Sequence, residues 1–206
     1  MWDALKAAII RLRDEQPGAL TGHPGLRDDD QRPPFAIMLA AWATDLAAEL
    51  HRQFGDDVEL SVGGMAYPTG ERTHIPGLAA ESAEISAELD GPLTVASGHR
   101  TTHGLLVTNH TDAAMNVATN GNITAIVVDP ATDRVIGGYS GPQTLALVTY
   151  PVKPGGTTRI PLLVGTDSYA ADLGYAVPPG NWAIRATIEL GDRTLGTPAL
   201  PITVTG

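Results

Sequence analysis

Apolar and polar residues alternate most clearly over residues 181–190. The apolar side chains occupy every second position, at Trp182, Ile184, Ala186, Ile188 and Leu190. This period of two predicts a β-strand with one buried face. Prolines before the segment and Gly191-Asp192 after it set its two ends. We expect Trp182 to anchor the hydrophobic core of a sandwich.

Short alternating runs continue from residue 58 to the C-terminus, separated by turn residues at intervals of roughly 8 to 12 residues. The predicted strands are residues 58–62, 83–89, 93–96, 101–109, 115–119, 123–128, 134–139, 143–150, 157–164, 181–190 and 199–204. This spacing predicts an antiparallel immunoglobulin-like or fibronectin-like β-sandwich over residues 58–206.

Helical periodicity is confined to the N-terminal region. Apolar residues three and four positions apart predict an amphipathic helix over residues 2–16, which Pro17-Gly18 ends. A second helix is predicted over residues 34–54, with the apolar stripe Phe35, Leu39, Trp42, Leu46 and Leu50. The predicted fold class is therefore α+β, with an N-terminal helical hairpin (residues 1–57) packed on the sandwich, either as a separate region or within one compact unit.

Composition narrows the classes of function. The formal net charge is −10, and without a basic stripe nucleic acid is not an expected partner. The chain has no cysteine, so neither disulfides nor a thiolate nucleophile are available. No apolar run is long enough for a membrane span. The N-terminus lacks a secretory signal pattern, which predicts a cytoplasmic protein unless a leader has been removed.

Several segments resemble a known family. They begin at Leu105 (LLVTNH), Thr119 (TNGNITAIVVDP), Ile160 (IPLLVGT) and Gly174 (GYAVPPGNW). These motifs resemble a family of uncharacterised actinobacterial proteins with an immunoglobulin-like C-terminal half, and the match runs from about residue 58 to the end. The resemblance implies a sandwich and brings no activity or catalytic residues. A weaker similarity, in strand and turn order alone, is to small bacterial sandwich inhibitors of intracellular proteinases.

The sequence contains no clear pattern for a metal site or for a catalytic serine. His99 and His103 share a strand face but lie about 13 Å apart at roughly 3.3 Å per residue, too far for one ion. Three adjacent aspartates, Asp28 to Asp30, lack the glycine-containing loop of a calcium site. Ser140 follows two glycines, but Pro142 stands where a nucleophile loop needs its second glycine. We therefore expect no cofactor and no metal.

The loop over residues 166–172 is the most polar stretch left over. It crosses between sheets or binds a partner, and the candidate binding residues are Asp167, Tyr169, Asp172, Tyr175, His99 and His103.

Two functions remain open. The first is a non-enzymatic binding or structural module that presents loops or an edge strand to a protein partner, or self-associates through its N-terminal helices. The second is a hydrolase-type enzyme with a site between the helices and the sandwich, built from histidines and carboxylates. A deep cleft where such groups converge would favour the enzyme.

Overall fold

A computed structural model of the protein describes residues 2–22, 25–26, 35–72, 75–79, 82–119, 123–141, 147–190 and 193–206. The chain forms an N-terminal α/β unit, through Tyr67, and a β-sandwich that begins at Ile85. The described helices are too short and too polar to cross a membrane.

The N-terminal α/β unit contains a small sheet with two helices. Its elements are α1 (Trp2–Glu15), β1 (Gly25–Leu26), β2 (Phe35–Leu39), α2 (Thr44–Phe54), a 3₁₀ turn (Gly55–Asp57), β3 (Val58–Val62) and β4 (Met65–Tyr67). The sheet order is β1-β2-β3-β4, and α2 connects the parallel strands β2 and β3. Buried residues of both helices join those of β2 and β3 in one hydrophobic cluster.

The predicted second helix is wrong in its first half. Phe35, Ile37 and Leu39 are buried on one face of strand β2, and helix α2 begins only at Thr44. Residues four positions apart lie on the same face of an α-helix and also on the same face of a β-strand. The spacing of Phe35 and Leu39 therefore fits both structures. Trp42, placed in the predicted stripe, lies in the connection between them and is 37% exposed.

The predicted helical hairpin and its boundary also differ from the structure. Strands β3 and β4 pair within the N-terminal sheet, so a boundary before Val58 cuts through that sheet. Helices α1 and α2 bury Leu5, Leu12 and Leu50 in one hydrophobic cluster with strands of this sheet. The prediction had placed the two helices directly on the sandwich. The prediction failed because it grouped β3 with the strands that follow it in the chain.

The sandwich has two layers of mainly antiparallel strands. Its elements are β5 (Ile85–Leu89), β6 (Leu93–Ala96), β7 (Arg100–Asn109), β8 (Met115–Thr119), β9 (Ile123–Val128), β10 (Val135–Gly138), β11 (Val148–Val152), β12 (Thr157–Gly165), β13 (Asp167–Ser168), a 3₁₀ turn (Ala171–Leu173), β14 (Gly180–Leu190), β15 (Arg193–Gly196) and β16 (Leu200–Thr205). One sheet has the order β13-β10-β9-β14-β16-β6, with β15 paired to β14. The facing layer contains β12-β7-β5 and the pair β11-β8.

The core lies between these layers, and β14 runs through the centre of the larger sheet. Ile184, Ala186 and Ile188 are fully buried on its inner face, which confirms the predicted parity. Trp182 shares that parity but is half-buried at the margin of the core, where its Nε1 donates a hydrogen bond to the Pro178 carbonyl at 2.9 Å. The aliphatic residues, more than Trp182, therefore form the centre of the core.

Most predicted strands are confirmed, several with identical bounds, as for β6, β8 and β9. Strand β15 was missed because Leu195 is the one large apolar residue among its four positions. Strand β13 was missed because it lies inside the stretch predicted as a loop. Of the run predicted at 143–150, residues 143–146 lie outside the described residues, as do Asp28 to Asp30.

Candidate functional site

A glycine hairpin turn brings the α/β unit against the sandwich. Gly63 and Gly64 join β3 to β4 with φ values of 56° and 74°, the left-handed conformation that a two-residue hairpin turn requires. A Cβ on Gly64 would lie 2.7 Å from the Cβ of Ser140, and one on Gly63 would lie 2.9 Å from the Tyr175 carbonyl oxygen. Glycine is thus needed here both for the turn and for the close approach.

A second contact is made by the turn between β6 and β7. Gly98 has φ +70°, and a Cβ there would lie 2.8 Å from the backbone nitrogen of Trp42. The side chain of Thr166 fixes this turn: its Oγ1 donates to the Ala96 carbonyl at 2.7 Å and accepts from the His99 amide at 3.1 Å. The next residue, His99, stacks on the Trp42 ring with centroids 5.8 Å apart.

Beside the second contact, where residues of both units meet, lies a pocket of about 230 Å³. The α/β unit contributes Thr21 and Trp42, and the sandwich contributes His99, Arg100, Tyr139 and Asp167. We call it the junction pocket. It combines an aromatic surface with groups of both charges.

Asp167 is the most enclosed charged group of the junction pocket, with 9% of its surface exposed. Pairing of β13 with β10 sets Asp167 beside Gly138, and Ser140 then donates to Asp167 Oδ2 from its amide at 2.9 Å and from its hydroxyl at 2.5 Å. The other oxygen, Oδ1, accepts no hydrogen bond from the described residues and is accessible to solvent in a residue that lines the pocket. Because it is accessible to solvent, this oxygen can accept a hydrogen bond from a ligand in the pocket as readily as from water.

The charges around Asp167 act in opposite directions. Burial raises the pKa of the Asp167 carboxyl above its ordinary value of 3.8, while the hydrogen bonds from Ser140 and the charges of Arg72 and Arg100 oppose that rise. Arg100 Nη1 donates to the Tyr139 hydroxyl at 3.1 Å. Arg72 lies over the Tyr169 ring, 3.7 Å from its centroid, and burial raises the pKa of Tyr169 to about 12.

The structure brings two of the six predicted binding residues to the junction pocket, namely Asp167 and His99. Tyr169 is buried beneath Arg72, and its hydroxyl donates to the Tyr139 carbonyl at 2.9 Å. Tyr175 packs on Tyr67 at the junction, with ring centroids 5.7 Å apart. The other two residues lie apart from the pocket.

Asp172 and His103 have local partners. Asp172 is exposed and forms an ion pair with Arg134, whose hydrogen bond is the main cause that lowers the pKa of the carboxyl. The Nε2 atom of His103 lies 3.3 Å from the Gly91 carbonyl oxygen. His99 and His103 therefore share no site, and the described residues include no group of three or more potential metal ligands.

Four residues of the site were missed as binding residues by sequence reasoning: Trp42, Arg100, Tyr139 and Ser140. Trp42 was placed in a helical core stripe, and Ser140 was considered only as a nucleophile. No spacing rule connects positions 42, 100, 139 and 167, because the pocket forms only when two separate units meet.

Comparison with known proteins adds little to this geometry. No protein-family model matches the chain, and no curated protein matches it with significance. A β-glucosidase from Listeria innocua in complex with glucose is 12% identical over 60% of this chain, with a TM-score of 0.35, and the match spans 16% of that chain.

Two single domains show similar values. The CARDB domain of PF1109 from Pyrococcus furiosus is 11% identical over 59% of this chain and 94% of that domain, with a TM-score of 0.28. The PapD-like domain 7 of human CEP192 is 11% identical over 66% of this chain and 94% of that domain, with a TM-score of 0.29. Matches of this quality assign neither a family nor a function, and the sandwich is established by the chain's own strand pairing.

Burial of Asp167 predicts a pH-dependent effect of Asp167→Asn. Because the folded-state pKa of Asp167 is raised, the folded protein holds this proton more tightly than the unfolded chain. The contribution of Asp167 to stability is therefore largest at acid pH and declines as the pH rises from 3.8 through the folded-state pKa. Urea denaturation should show wild type losing stability relative to Asp167→Asn as the pH rises above 3.8.

The control is Glu88→Gln, which removes one negative charge at an exposed position of β5. A difference between wild type and Asp167→Asn that stays constant with pH, or that grows in favour of wild type as the pH rises, would contradict the prediction.

Proposed function

We propose that the protein is a non-enzymatic binding module, built on an immunoglobulin-like sandwich, that holds a small polar ligand in the junction pocket. The observation that carries the proposal is the Oδ1 of Asp167, which accepts no hydrogen bond from any described residue although Asp167 is largely buried and lines the pocket. Ligand pockets commonly join an apolar surface to a few polar groups that fix orientation. Here Trp42 supplies the former, and Asp167 and Arg100 supply the latter.

The chemistry around Ser140 supports binding over hydrolysis. A serine nucleophile needs a general base within hydrogen-bond reach, and that base is oriented in turn by a third group. Ser140 donates directly to Asp167, and no described histidine bonds to either residue. His51 packs on Tyr67, and His110 lies 2.7 Å from the Ser86 hydroxyl. The histidines of the described part do not converge, so we set the hydrolase aside.

The strand edges support a pocket over strand addition. β12, at one edge of the three-stranded sheet, carries Pro161, which lacks the amide that an added strand would need. β6, at one edge of the larger sheet, has only four residues. Short strands and edge prolines disfavour pairing with another chain.

The test is a fragment screen of the ¹⁵N-labelled full-length protein, read by the indole NH signals of its three tryptophans. Trp42 lines the junction pocket, whereas Trp182 is hydrogen-bonded within the sandwich and serves as an internal control. We expect polar fragments to shift the Trp42 signal and leave the Trp182 signal in place. The proposal is wrong if the fragments that bind leave the Trp42 signal unchanged, or if no fragment in the library binds.

A further inference from the structure

The charges of the junction pocket narrow the class of ligand, provided that the proposed binding function holds. A cation would find Asp167, but the guanidinium of Arg100, which lines the same pocket, would repel it. An anion would meet Arg100 but also the carboxylate of Asp167, in a chain with a formal net charge of −10. The opposed charges therefore favour a neutral ligand that can both donate and accept hydrogen bonds.

The polar residues that line the pocket come from both units. A carboxylate oxygen such as Asp167 Oδ1 accepts hydrogen bonds, whereas the guanidinium of Arg100 can only donate. Its Nη1 is already engaged with the Tyr139 hydroxyl, which leaves further N–H groups for a ligand. Thr21, from the α/β unit, also lines the pocket, and a threonine hydroxyl can donate or accept. A ligand with hydroxyl groups around its rim matches this distribution.

The aromatic side of the pocket suits a ring with apolar faces. Trp42 is 37% exposed and stacked with His99, and both residues line the pocket. The negative faces of aromatic rings attract the weakly positive C–H groups of an aliphatic ring. The volume of about 230 Å³ lies below the roughly 300–1,000 Å³ typical of drug-sized ligand pockets. It suits one six-membered ring.

We propose that the junction pocket binds a neutral saccharide unit, with one hydroxyl donating to Asp167 Oδ1, a neighbouring hydroxyl accepting from Arg100, and the C–H face of the ring against Trp42. Such a ring has hydroxyls around its rim and C–H groups on its faces, as the pocket requires. The unit is either a free monosaccharide or the end of a longer glycan.

The experiment titrates the ¹⁵N-labelled full-length protein with gluco-, galacto- and manno-configured methyl pyranosides and with short glucans, following the Trp42 indole signal. Guanidine, inorganic phosphate and adenosine are the cationic, anionic and aromatic comparison probes. We expect at least one saccharide to shift the Trp42 signal saturably, while the Trp182 signal stays in place. Binding of the methyl pyranosides alone would identify a free monosaccharide as the ligand. Tighter binding of the glucans would identify the end of a longer glycan.

Two arginine variants test the mode of binding. Arg100→Gln removes the charged donor and should weaken saccharide binding about ten-fold. Arg134→Gln is the matched control, because Arg134 is exposed and pairs with Asp172 away from the pocket. Equal affinities of the two variants would overturn the saccharide proposal.

The other outcomes separate this proposal from the broader one. If guanidine, phosphate or adenosine shifts the Trp42 signal and no saccharide does, the saccharide proposal is wrong and the junction pocket remains a binding site. If no probe and no fragment reaches Trp42, both proposals are wrong.

Discussion

Gly98→Val should lower the free energy of unfolding by about 4 kcal/mol. Two causes add at this position. A β-branched residue is strained at a φ of +70°, and its Cβ would lie 2.8 Å from the Trp42 nitrogen and 3.1 Å from the Ala41 carbonyl carbon. These are backbone atoms, which cannot rotate away as the end of a side chain could. Urea denaturation of the full-length protein measures the loss.

Gly155→Val separates the two causes. Gly155 has a φ of +62°, and no atom lies within 4 Å of the position that a Cβ would take, so this variant carries the strain without the clash. We expect it to cost about 2 kcal/mol. Equal losses for the two variants would mean that the clash with the α/β unit costs no free energy. The contact of Gly98 with that unit would then not contribute to stability.

Ile184→Ala should cost about 3 to 4 kcal/mol. Ile184 is fully buried on β14, opposite Val127 of β9, and belongs to the cluster shared by both layers of the sandwich. Truncation removes apolar contacts and leaves a cavity that close-packed neighbours fill poorly. Chemical denaturation monitored by circular dichroism gives the value.

Ile75→Ala makes the same chemical change at a side chain that is 48% exposed. Its effect should stay within about 0.5 kcal/mol. A loss at Ile184 as small as that at Ile75 would mean that β14 does not lie at the centre of the core.

The sandwich could be predicted because its strands are short and carry their apolar residues on one face. In β14 the alternation is local, and reading it requires no knowledge of the partner strand. The same reasoning failed at β2, since Phe35 and Leu39 satisfy a helical and an extended spacing alike. It also assigned β3 to the wrong sheet, because a sequence shows that a strand exists but not which neighbour it pairs with.

The junction pocket could be predicted only in fragments. Asp167 was predicted as a polar loop residue, and His99 as one of two histidines on a strand face. Trp42 was placed in a helical stripe, and no sequence pattern singled out Arg100. What unites them is the docking of the α/β unit on the sandwich through Gly63, Gly64 and Gly98. That contact depends on three-dimensional shape, which no short motif records.

The pocket takes one wall from each unit, and this has a thermodynamic consequence. A ligand that contacts Trp42 and Asp167 together binds only when the two units are held against each other. Occupancy and domain docking are then linked equilibria, and each must strengthen the other by the same factor. Binding of such a ligand would therefore stabilise the contact between the α/β unit and the sandwich.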